Sequence, residues 1–321
     1  MNNSYKSITV LVICYKQQEV IKRALDSILC QKEFGLKKIV VCDDCSPDNT
    51  WKVLQDYKSQ YPEYFNIYRN DHNLGIYQNM EKLVSLRGTS DLYVNLSGDD
   101  AFEVGYFKAV QDFVFKNNIS LSDDVGIYGD IKIINPTGIV HFKKQNIIES
   151  HKDSLISLWI RHKIEGRSCL VSHSVMDKFK PIVFDKGLNL AESLFDSQKH
   201  RLIRKAYYLS KVGNIYFTDI GVSSKLNTLC DYYKQQNIDK WKYFIQNMII
   251  NNRKDLYYAY AEISRSKYYI SHRLVDFVKA SFFFILSSYP NLFPSIVEIK
   301  RFVGPMLRNI ILNRNKNENI V

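Results

Sequence analysis

The segment Asp91–Asp100 (DLYVNLSGDD) joins a strand pattern to a pair of carboxylates. Leu, Tyr and Val dominate its first part, 91–96, and these residue types favour a buried strand. A Ser-Gly turn follows, and then Asp99 and Asp100 stand side by side. Adjacent carboxylates at a strand end can hold a hard divalent cation through oxygen ligands, although aspartate is also common in turns and helix caps.

Similar strands precede this segment, with helices between them. Ile8–Cys14 (ITVLVIC) is a continuous apolar run, as in a strand buried on both faces, and Val20–Leu29 has apolar residues at helical spacing. Strands that alternate with helices predict an α/β, Rossmann-like fold with a mixed, mainly parallel sheet. The same patterns predict strands at 39–42, 65–68, 125–128 and 212–217, and helices at 50–57, from just after 75 to 86, at 106–115 and at 194–207.

The carboxyl ends of these strands define the expected ligand site, because open parallel sheets bind ligands beyond those ends. The first strand ends at Tyr15, the second at Asp43 and Asp44, and the fourth at Asp99 and Asp100. One edge of the sheet is therefore predicted to collect an aromatic ring and several carboxylates. The G-x-G-x-x-G turn of dinucleotide-binding proteins does not follow the first strand, which argues against the usual NAD-binding fold.

Four segments resemble, in order and spacing, glycosyltransferase family 2, whose members have the GT-A fold. Members show an apolar strand ending near Tyr-Asn, an Asp-Asp-x-Ser-x-Asp-x-Thr loop, an Asn-x-Gly, and a strand that ends in an acidic metal-binding motif. Lys16 stands here where the family usually has that Asn. The matching segments are ITVLVICYK (8–16), IVVCDDCSPDNT (39–50), NDHNLGIYQNM (70–80) and DLYVNLSGDD (91–100).

The resemblance implies a role for each residue at the strand ends. Tyr15 would lie beside the nucleobase, and Asp44, with Asp43, would bind the base or the ribose. Asp99 would contact the ribose or metal-bound groups, and Asp100 would bind Mn²⁺ or Mg²⁺ at the diphosphate. The donor implied is a nucleotide-diphosphate sugar, expected to be a UDP-sugar.

The family's catalytic base usually comes from an acidic pair that opens a helix in the second half of the chain. The matching region here is 190–198 (LAESLFDSQ), where Ser193 stands in place of the second acid. Asp196 or Glu192 must then act as the base. They lie four residues apart and share a helix face if the segment is helical, although either could simply cap or solvate that helix.

The resemblance and the loss of strand–helix alternation after about residue 135 divide the chain into predicted parts. Residues 1–226 are predicted to form a GT-A domain, with a nucleotide-binding half (1–135) and an acceptor half (136–226). Residues 227–321 are predicted to form a C-terminal helical region. Its apolar segments Arg273–Leu286 and Lys300–Arg308 carry basic residues and suit an anionic inner leaflet; a helical cap or a subunit interface is the alternative.

The net charge of +11 favours an anionic partner, which can be nucleic acid, acidic lipid or a phosphorylated substrate. No nucleic-acid motif is recognised, so no nucleic-acid partner is expected. The amino terminus has no secretory signal pattern, and no apolar run reaches the ~18 residues of a spanning helix. A cytoplasmic protein is expected, with at most peripheral contact with the inner face of the membrane.

The sequence thus predicts an inverting glycosyltransferase that moves a sugar from a nucleotide sugar to a hydroxyl of a glycan or a lipid-linked acceptor. The resemblance implies a pathway such as bacterial capsule, O-antigen or lipooligosaccharide synthesis. The alternative is a basic nucleic-acid- or lipid-binding protein with a degenerate transferase domain. The donor sugar, the acceptor, the linkage and the oligomeric state stay open.

Overall fold

A nine-stranded sheet forms the centre of the first of two compact units, Met1–Asn227 and Thr228–Val321. The computed structural model describes residues 5–145, 165–179, 192–218, 231–246, 250, 252–288, 299 and 302–307. The division lies one residue beyond the predicted domain boundary after residue 226. The assignment of a donor half and an acceptor half within the first unit stays a prediction.

Strands and helices alternate along the first part of this unit, as the apolar patterns predict. The strands are β1 (Ile8–Cys14), β2 (Leu36–Asp43), β3 (Phe65–Arg69), β4 (Leu92–Ser97), β5 (Ala101–Phe102), β6 (Val125–Ile134), β7 (Val140–Lys143), β8 (Cys169–Ser172) and β9 (Lys205–Phe217). The helices are α1 (Ile21–Leu29), α2 (Thr50–Gln60), α3 (Ile76–Ser85), α4 (Tyr106–Lys116), α5 (His173–Lys178) and α6 (Glu192–Leu202).

The strand order is β3-β2-β1-β4-β8-β6-β9-β5, and β7 pairs with β6. Strands β1 to β4 pair in parallel, as do β6 and β9, whereas β8 runs antiparallel to both β4 and β6. Ile13 of β1 pairs with Cys42 on one side and Ser97 on the other, which aligns the ends of β2 and β4. The predicted mixed, mainly parallel sheet is confirmed, and the aligned ends create the edge where a ligand can bind.

Burial on both faces explains why β1 is apolar throughout. Val10, Leu11 and Val12 are completely buried. The inner face of α1 covers this part of the sheet with Ile21, Leu25 and other apolar residues, in agreement with the helical spacing of the sequence. Each such side chain contributes roughly 1.5–3 kcal/mol by its removal from water.

One helix predicted in the second half of the unit ends earlier than the sequence pattern indicates. The helix predicted over 194–207 ends at Leu202, and Tyr207 lies in β9, where it pairs with Ile127 of β6. Pairing along the whole of β6 overrides the local helical pattern there. The strand predicted at 212–217 is confirmed as the end of β9.

Helices make up the described part of the second unit, in agreement with the predicted helical region. They are α7 (Asp231–Gln246), α8 (Arg253–Ser271) and α9 (Leu274–Leu286). The side chain of Asn252 caps α8 by accepting a hydrogen bond from the N–H of Asp255 at 2.9 Å. In the core of the unit, the rings of Phe284 and Phe302 stack with their centroids 4.2 Å apart. None of the described helices is both long and apolar enough to cross a bilayer.

Candidate functional site

An open cleft of about 710 Å³ lies at the carboxyl ends of β1 and β4. Four predicted site residues line it together: Tyr15, Asp44, Asp99 and Asp100. The parallel pairing explains this convergence, because the ends of neighbouring parallel strands meet at one edge. Further lining residues are Ile13, Cys14, Gln17, Ile76, Asn79, Ser97, Arg167 and Tyr216.

Asp44 is a buried carboxylate that organises the loop before α3. It accepts hydrogen bonds from the backbone N–H groups of Leu74 (2.8 Å) and Gly75 (2.9 Å) and from Nδ2 of Asn70 (2.8 Å). Gly75 has φ 83°, a value that favours glycine, which accounts for the Asn-x-Gly pattern at this point. A side chain predicted to contact nucleotide therefore also fixes the backbone that forms one wall of the cleft.

Asp43 is not among the residues that line this cleft. Its carboxylate is fully buried, where it accepts the hydroxyl and the N–H of Ser46 and lies 3.3 Å from Nε of Arg69. Burial raises the pKa of Asp43, while Ser46 and Arg69 act in the opposite direction. In this structure Asp43 supports the loop after β2, and the predicted contact with nucleotide stays a prediction.

The Ser-x-Asp-x-Thr segment fastens the loop after β1 to the loop after β2. The N–H of Lys16 donates to Oγ of Ser46 at 3.0 Å, and the N–H of Gln17 donates to Oγ1 of Thr50 at 2.9 Å. Asp48 in turn accepts the Thr50 hydroxyl at 2.6 Å. The sequence pattern marks this segment as a loop but does not reveal that its hydroxyls hold the neighbouring loop, because the residues that they bind lie in another part of the chain.

Asp99 and Asp100 lie next to each other at the end of β4, but their environments differ. Asp100 is only 3% exposed, and its Oδ1 accepts the N–H of Phe217 at 3.4 Å. Asp99 is half-buried. Its burial raises the pKa of the carboxyl group, whereas the positive charges of Arg167 and Arg23 lower it in part. The two carboxylates can present oxygens to the cleft together, with β9 supporting the second of them.

Close approach of side chains requires the glycine that precedes this pair. A Cβ at Gly98 would lie 2.3 Å from Oε1 of Gln17 and 2.5 Å from Cδ1 of Ile21. Its N–H also donates to the carbonyl of Ile13 at 2.9 Å. The Ser-Gly step between β4 and the carboxylates thus lets the backbone approach Gln17, Ile21 and β1 closely.

Two arginines stack on aromatic rings of β9 beside the carboxylates. The guanidinium of Arg23 lies 3.5 Å from the ring centroid of Phe217, and that of Arg167 lies 4.0 Å from the ring of Tyr216. Arg167 also pairs with Glu165 at 3.0 Å. Sequence reasoning missed both arginines, because their aromatic partners lie on the distant strand β9 and no local motif marks them.

A second, smaller cavity is lined by Asp100 and by Asp196, the predicted base on α6. Arg167 and Asn214 also line it. The Asp196 carboxylate pairs with Nζ of Lys199 at 3.1 Å, and Lys199 is almost completely buried. Glu192, the other candidate base, opens α6 as expected, but its side chain lies outside the described residues.

The described residues contain no group of three or more His, Cys, Asp or Glu side chains that could enclose a metal ion. Asp99 and Asp100 nevertheless fit an ion of the Mg²⁺ or Mn²⁺ type. Such an ion can be bound by one or two carboxylates, with water and substrate phosphate oxygens completing its shell. The pair is suited to a metal that arrives with a phosphorylated substrate.

This α/β fold, with an acidic pair at a strand end, agrees with a glycosyltransferase domain of the GT-A fold. Residues 9–157 match the family model described as Glycosyl transferase family 2. The resemblance stated from the sequence is therefore confirmed.

The curated relatives are mostly uncharacterized. The chain is 28% identical over 78 residues to Uncharacterized protein Mb1547 of Mycobacterium bovis, a match that covers 24% of this chain and 22% of that protein. It is 25% identical over 238 residues to Uncharacterized glycosyltransferase MG025 of Mycoplasma genitalium, covering 72% and 77%. The first match thus spans about a fifth of the relative's length.

Two solved structures have the same fold. S. aureus TarS 1-349 in complex with UDP-GlcNAc superposes with a TM-score of 0.55 and 13% identity, over 87% of this chain and 72% of that chain. The mannosyltransferase PcManGT from Pyrobaculum calidifontis, in complex with GDP-Man and Mn²⁺, gives 0.53 and 12% identity, over 98% and 88%. At these identities the similarity establishes the GT-A fold and no more.

Proposed function

We propose that this protein transfers a sugar from a UDP-sugar to a hydroxyl group of a glycan or a lipid-linked acceptor, with inversion at the anomeric carbon. The observation that carries the proposal is the convergence of Tyr15, Asp44, Asp99 and Asp100 on one cleft. An aromatic ring for the base, a carboxylate for the ribose and an acidic pair for the diphosphate are what such a donor requires. The TarS complex with UDP-GlcNAc supports the choice of donor class.

In this proposal the donor lies along the strand ends. Tyr15 and Asp44 bind the uridine, with Asp43 held behind them by Ser46 and Arg69. Asp99 and Asp100 hold Mn²⁺ or Mg²⁺, which when bound offsets the charge of the departing diphosphate. The complex of PcManGT with GDP-Man and Mn²⁺ supports a divalent ion in this fold, and the ion's identity here is left to experiment.

Asp196 is proposed as the general base. Its carboxylate lines the cavity that Asp100 also lines, and we propose that the acceptor hydroxyl enters there. The acceptor hydroxyl gives its proton to Asp196, and its oxygen forms a bond to the anomeric carbon. The bond from that carbon to the diphosphate oxygen breaks, and the nucleoside diphosphate leaves with the electron pair. Glu192 is the alternative base on the same helix.

We further propose that the protein works at the cytoplasmic face of a bacterial membrane, in the synthesis of a surface polysaccharide. A basic chain of net charge +11 is suited to anionic lipid and to phosphorylated substrates. This placement is independent of the donor chemistry.

Calorimetry with UDP and GDP, each with Mn²⁺ and with a chelator, tests the donor site. We expect UDP to bind in the presence of Mn²⁺, and Asp100→Asn to weaken that binding at least about tenfold, because one anionic metal ligand is lost. Asp112→Asn, at an exposed carboxylate on α4, is the matched control. Binding that does not depend on metal would contradict the role of the acidic pair, and a preference for GDP would contradict the uridine assignment.

Turnover measurements then distinguish an enzyme from a binding protein with a degenerate domain. Release of nucleoside diphosphate from a panel of UDP-sugars is expected to require Mn²⁺ or Mg²⁺. Asp196→Asn should lower that turnover on the order of a hundredfold with little change in donor affinity, as for a lost general base. If Glu192→Gln has this effect instead, Glu192 is the base. Nucleic-acid or lipid binding without any donor binding would favour the alternative function.

A further inference from the structure

Helix α9 exposes a continuous apolar stripe, defined here as Leu274, Val275, Val278, Phe282 and Ile285. These side chains are between 45% and 66% exposed. Their spacing of three and four residues places them on one face of the helix. Five large apolar residues on one exposed face are unusual for a water-exposed helix, because solvent-facing positions normally carry polar side chains.

The opposite face of α9 is packed, so the stripe cannot turn inward within this unit. Ala280 is completely buried and Phe284 is 6% exposed. The ring of Phe284 stacks on that of Phe302 at 4.2 Å, with only 3° between the ring planes. Packing on one side thus fixes the orientation of the helix and leaves the stripe facing outward.

Aromatic side chains extend this apolar surface onto α8. The rings of Phe282 and Phe283 lie 5.6 Å apart, and Phe283 contacts the partly exposed Tyr260 of α8 at 5.3 Å. Tyrosine combines an apolar ring with a polar hydroxyl and is therefore enriched where apolar and aqueous phases meet. The surface has the mixed character of an interfacial segment.

Positive charge accompanies the apolar surface. Arg273 at the N-cap of α9, Lys279 on α9 and Lys267 on α8 are exposed. Residues 228–321 contain fourteen Lys and Arg against seven Asp and Glu. A second copy of this chain would bring like charges together, whereas a bilayer with anionic headgroups offers both opposite charge and an apolar layer.

We propose that the stripe on α9 docks on an anionic lipid surface, with the helix lying in the plane of the headgroups and Phe282 inserted among the acyl chains. The proposal specifies the surface for the membrane placement proposed above and rests on that placement, but it does not depend on sugar transfer. Arg273, Lys279 and Lys267 supply electrostatic attraction, and the stripe supplies apolar burial.

Sedimentation of the full chain with vesicles tests the proposal. Vesicles of phosphatidylcholine alone are compared with vesicles that also contain phosphatidylglycerol. We expect binding to the anionic vesicles, and at least about a tenfold loss for the double variant Val278→Asp/Phe282→Asp, because two apolar side chains no longer enter the bilayer and two negative charges face the anionic headgroups. Phe115→Asp, at a 65% exposed phenylalanine on α4, is the matched control and should bind normally.

Two further measurements make the result decisive. Lys279→Glu should weaken binding to anionic vesicles and leave the small affinity for phosphatidylcholine unchanged. Light scattering reports the oligomeric state: a dimer that the stripe variant dissociates, without vesicle binding by the unmodified protein, would overturn the proposal in favour of a second copy. UDP binding measured on the same samples separates this outcome from a failure of the proposed transferase function.

Discussion

The carboxylate of Asp196 lies directly against Gly166, so that a Cβ at position 166 would come within 2.6 Å of both carboxylate oxygens. Gly166→Ala must therefore displace the proposed base. We expect turnover to fall about tenfold or more, with little change in UDP affinity, since a small misplacement of a catalytic group has effects of this size. Gly304→Ala, where a Cβ would meet nothing within 4 Å, is the control. Full activity of Gly166→Ala would show that Asp196 is not the base.

Lys199 provides a buried cation for the same carboxylate. Its side chain is 3% exposed, and its Nζ lies 3.1 Å from Asp196. Lys199→Met leaves that carboxylate without this partner, and we expect a loss of roughly 3–5 kcal/mol in the free energy of unfolding, as for other broken buried pairs. A double-mutant cycle with Asp196→Asn, followed by urea unfolding, measures the coupling. If the effects of the two substitutions on the free energy of unfolding are additive, the interaction between Lys199 and Asp196 does not contribute to stability.

Asp44 accepts hydrogen bonds from the loop before α3 and also lines the proposed donor cleft. Its replacement should therefore affect both the free energy of unfolding and UDP binding. In Asp44→Asn the amide keeps one acceptor oxygen, so its N–H₂ would face either the N–H of Gly75 or, if the amide is turned over, the N–H of Leu74 and the amide of Asn70. We expect a loss of about 1–3 kcal/mol in the free energy of unfolding, from donors left unsatisfied, together with weaker UDP binding. Urea unfolding and calorimetry measure the two effects. Stability equal to the unmodified protein would contradict the structural role.

His200 predicts how stability depends on pH. The side chain is 1% exposed, and burial lowers its pKa from 6.5 to about 3, with Lys199 acting in the same direction and Asp196 opposing it. At pH values between these two pKa values, the unfolded chain binds one proton more than the folded chain. The free energy of unfolding therefore decreases as the pH falls below about 6.5, by up to roughly 1.4 kcal/mol per pH unit.

Urea unfolding at about pH 7 and about pH 5 measures this dependence. His200→Gln removes the titrating group and should reduce the difference in stability between the two pH values. His141→Gln, at an exposed histidine on β7, is the matched control and should leave that difference unchanged. An undiminished difference in His200→Gln would assign the pH dependence to other groups.

Much of the fold and part of the site could be predicted from the sequence, because the relevant signals are local. The apolar run of β1 and the helical spacing of α1 indicate burial directly. Parallel strands then bring their ends together, and so Tyr15, Asp44 and Asp100 were placed on one edge without knowledge of any contact.

Other features depend on contacts between distant residues and could not be predicted in this way. Asp43 and Asp44 are adjacent at the end of β2, yet contacts with Ser46 and Arg69 bury the Asp43 carboxylate away from the cleft lining. Arg167 reaches the cleft because β9 brings Tyr216 beneath it. Strand β8 is short and buried, with no periodicity to mark it, and the helix expected to extend to Tyr207 ends early because β9 pairs with β6.

Strand β9 has a consequence for how the protein is made. Ala101, just after the acidic pair, pairs with Ile215, and the N–H of Phe217 supports Asp100. A chain emerging from the ribosome can pair β1 to β4 early, but these contacts must wait until β9 has been synthesised. Pairings between residues so far apart in sequence close slowly. A nascent chain that stops before β9 would thus contain β1 to β4 and the cleft residues at their ends, but its acidic pair would lack the contacts with β9. The ability to bind a nucleotide sugar should therefore appear late in translation.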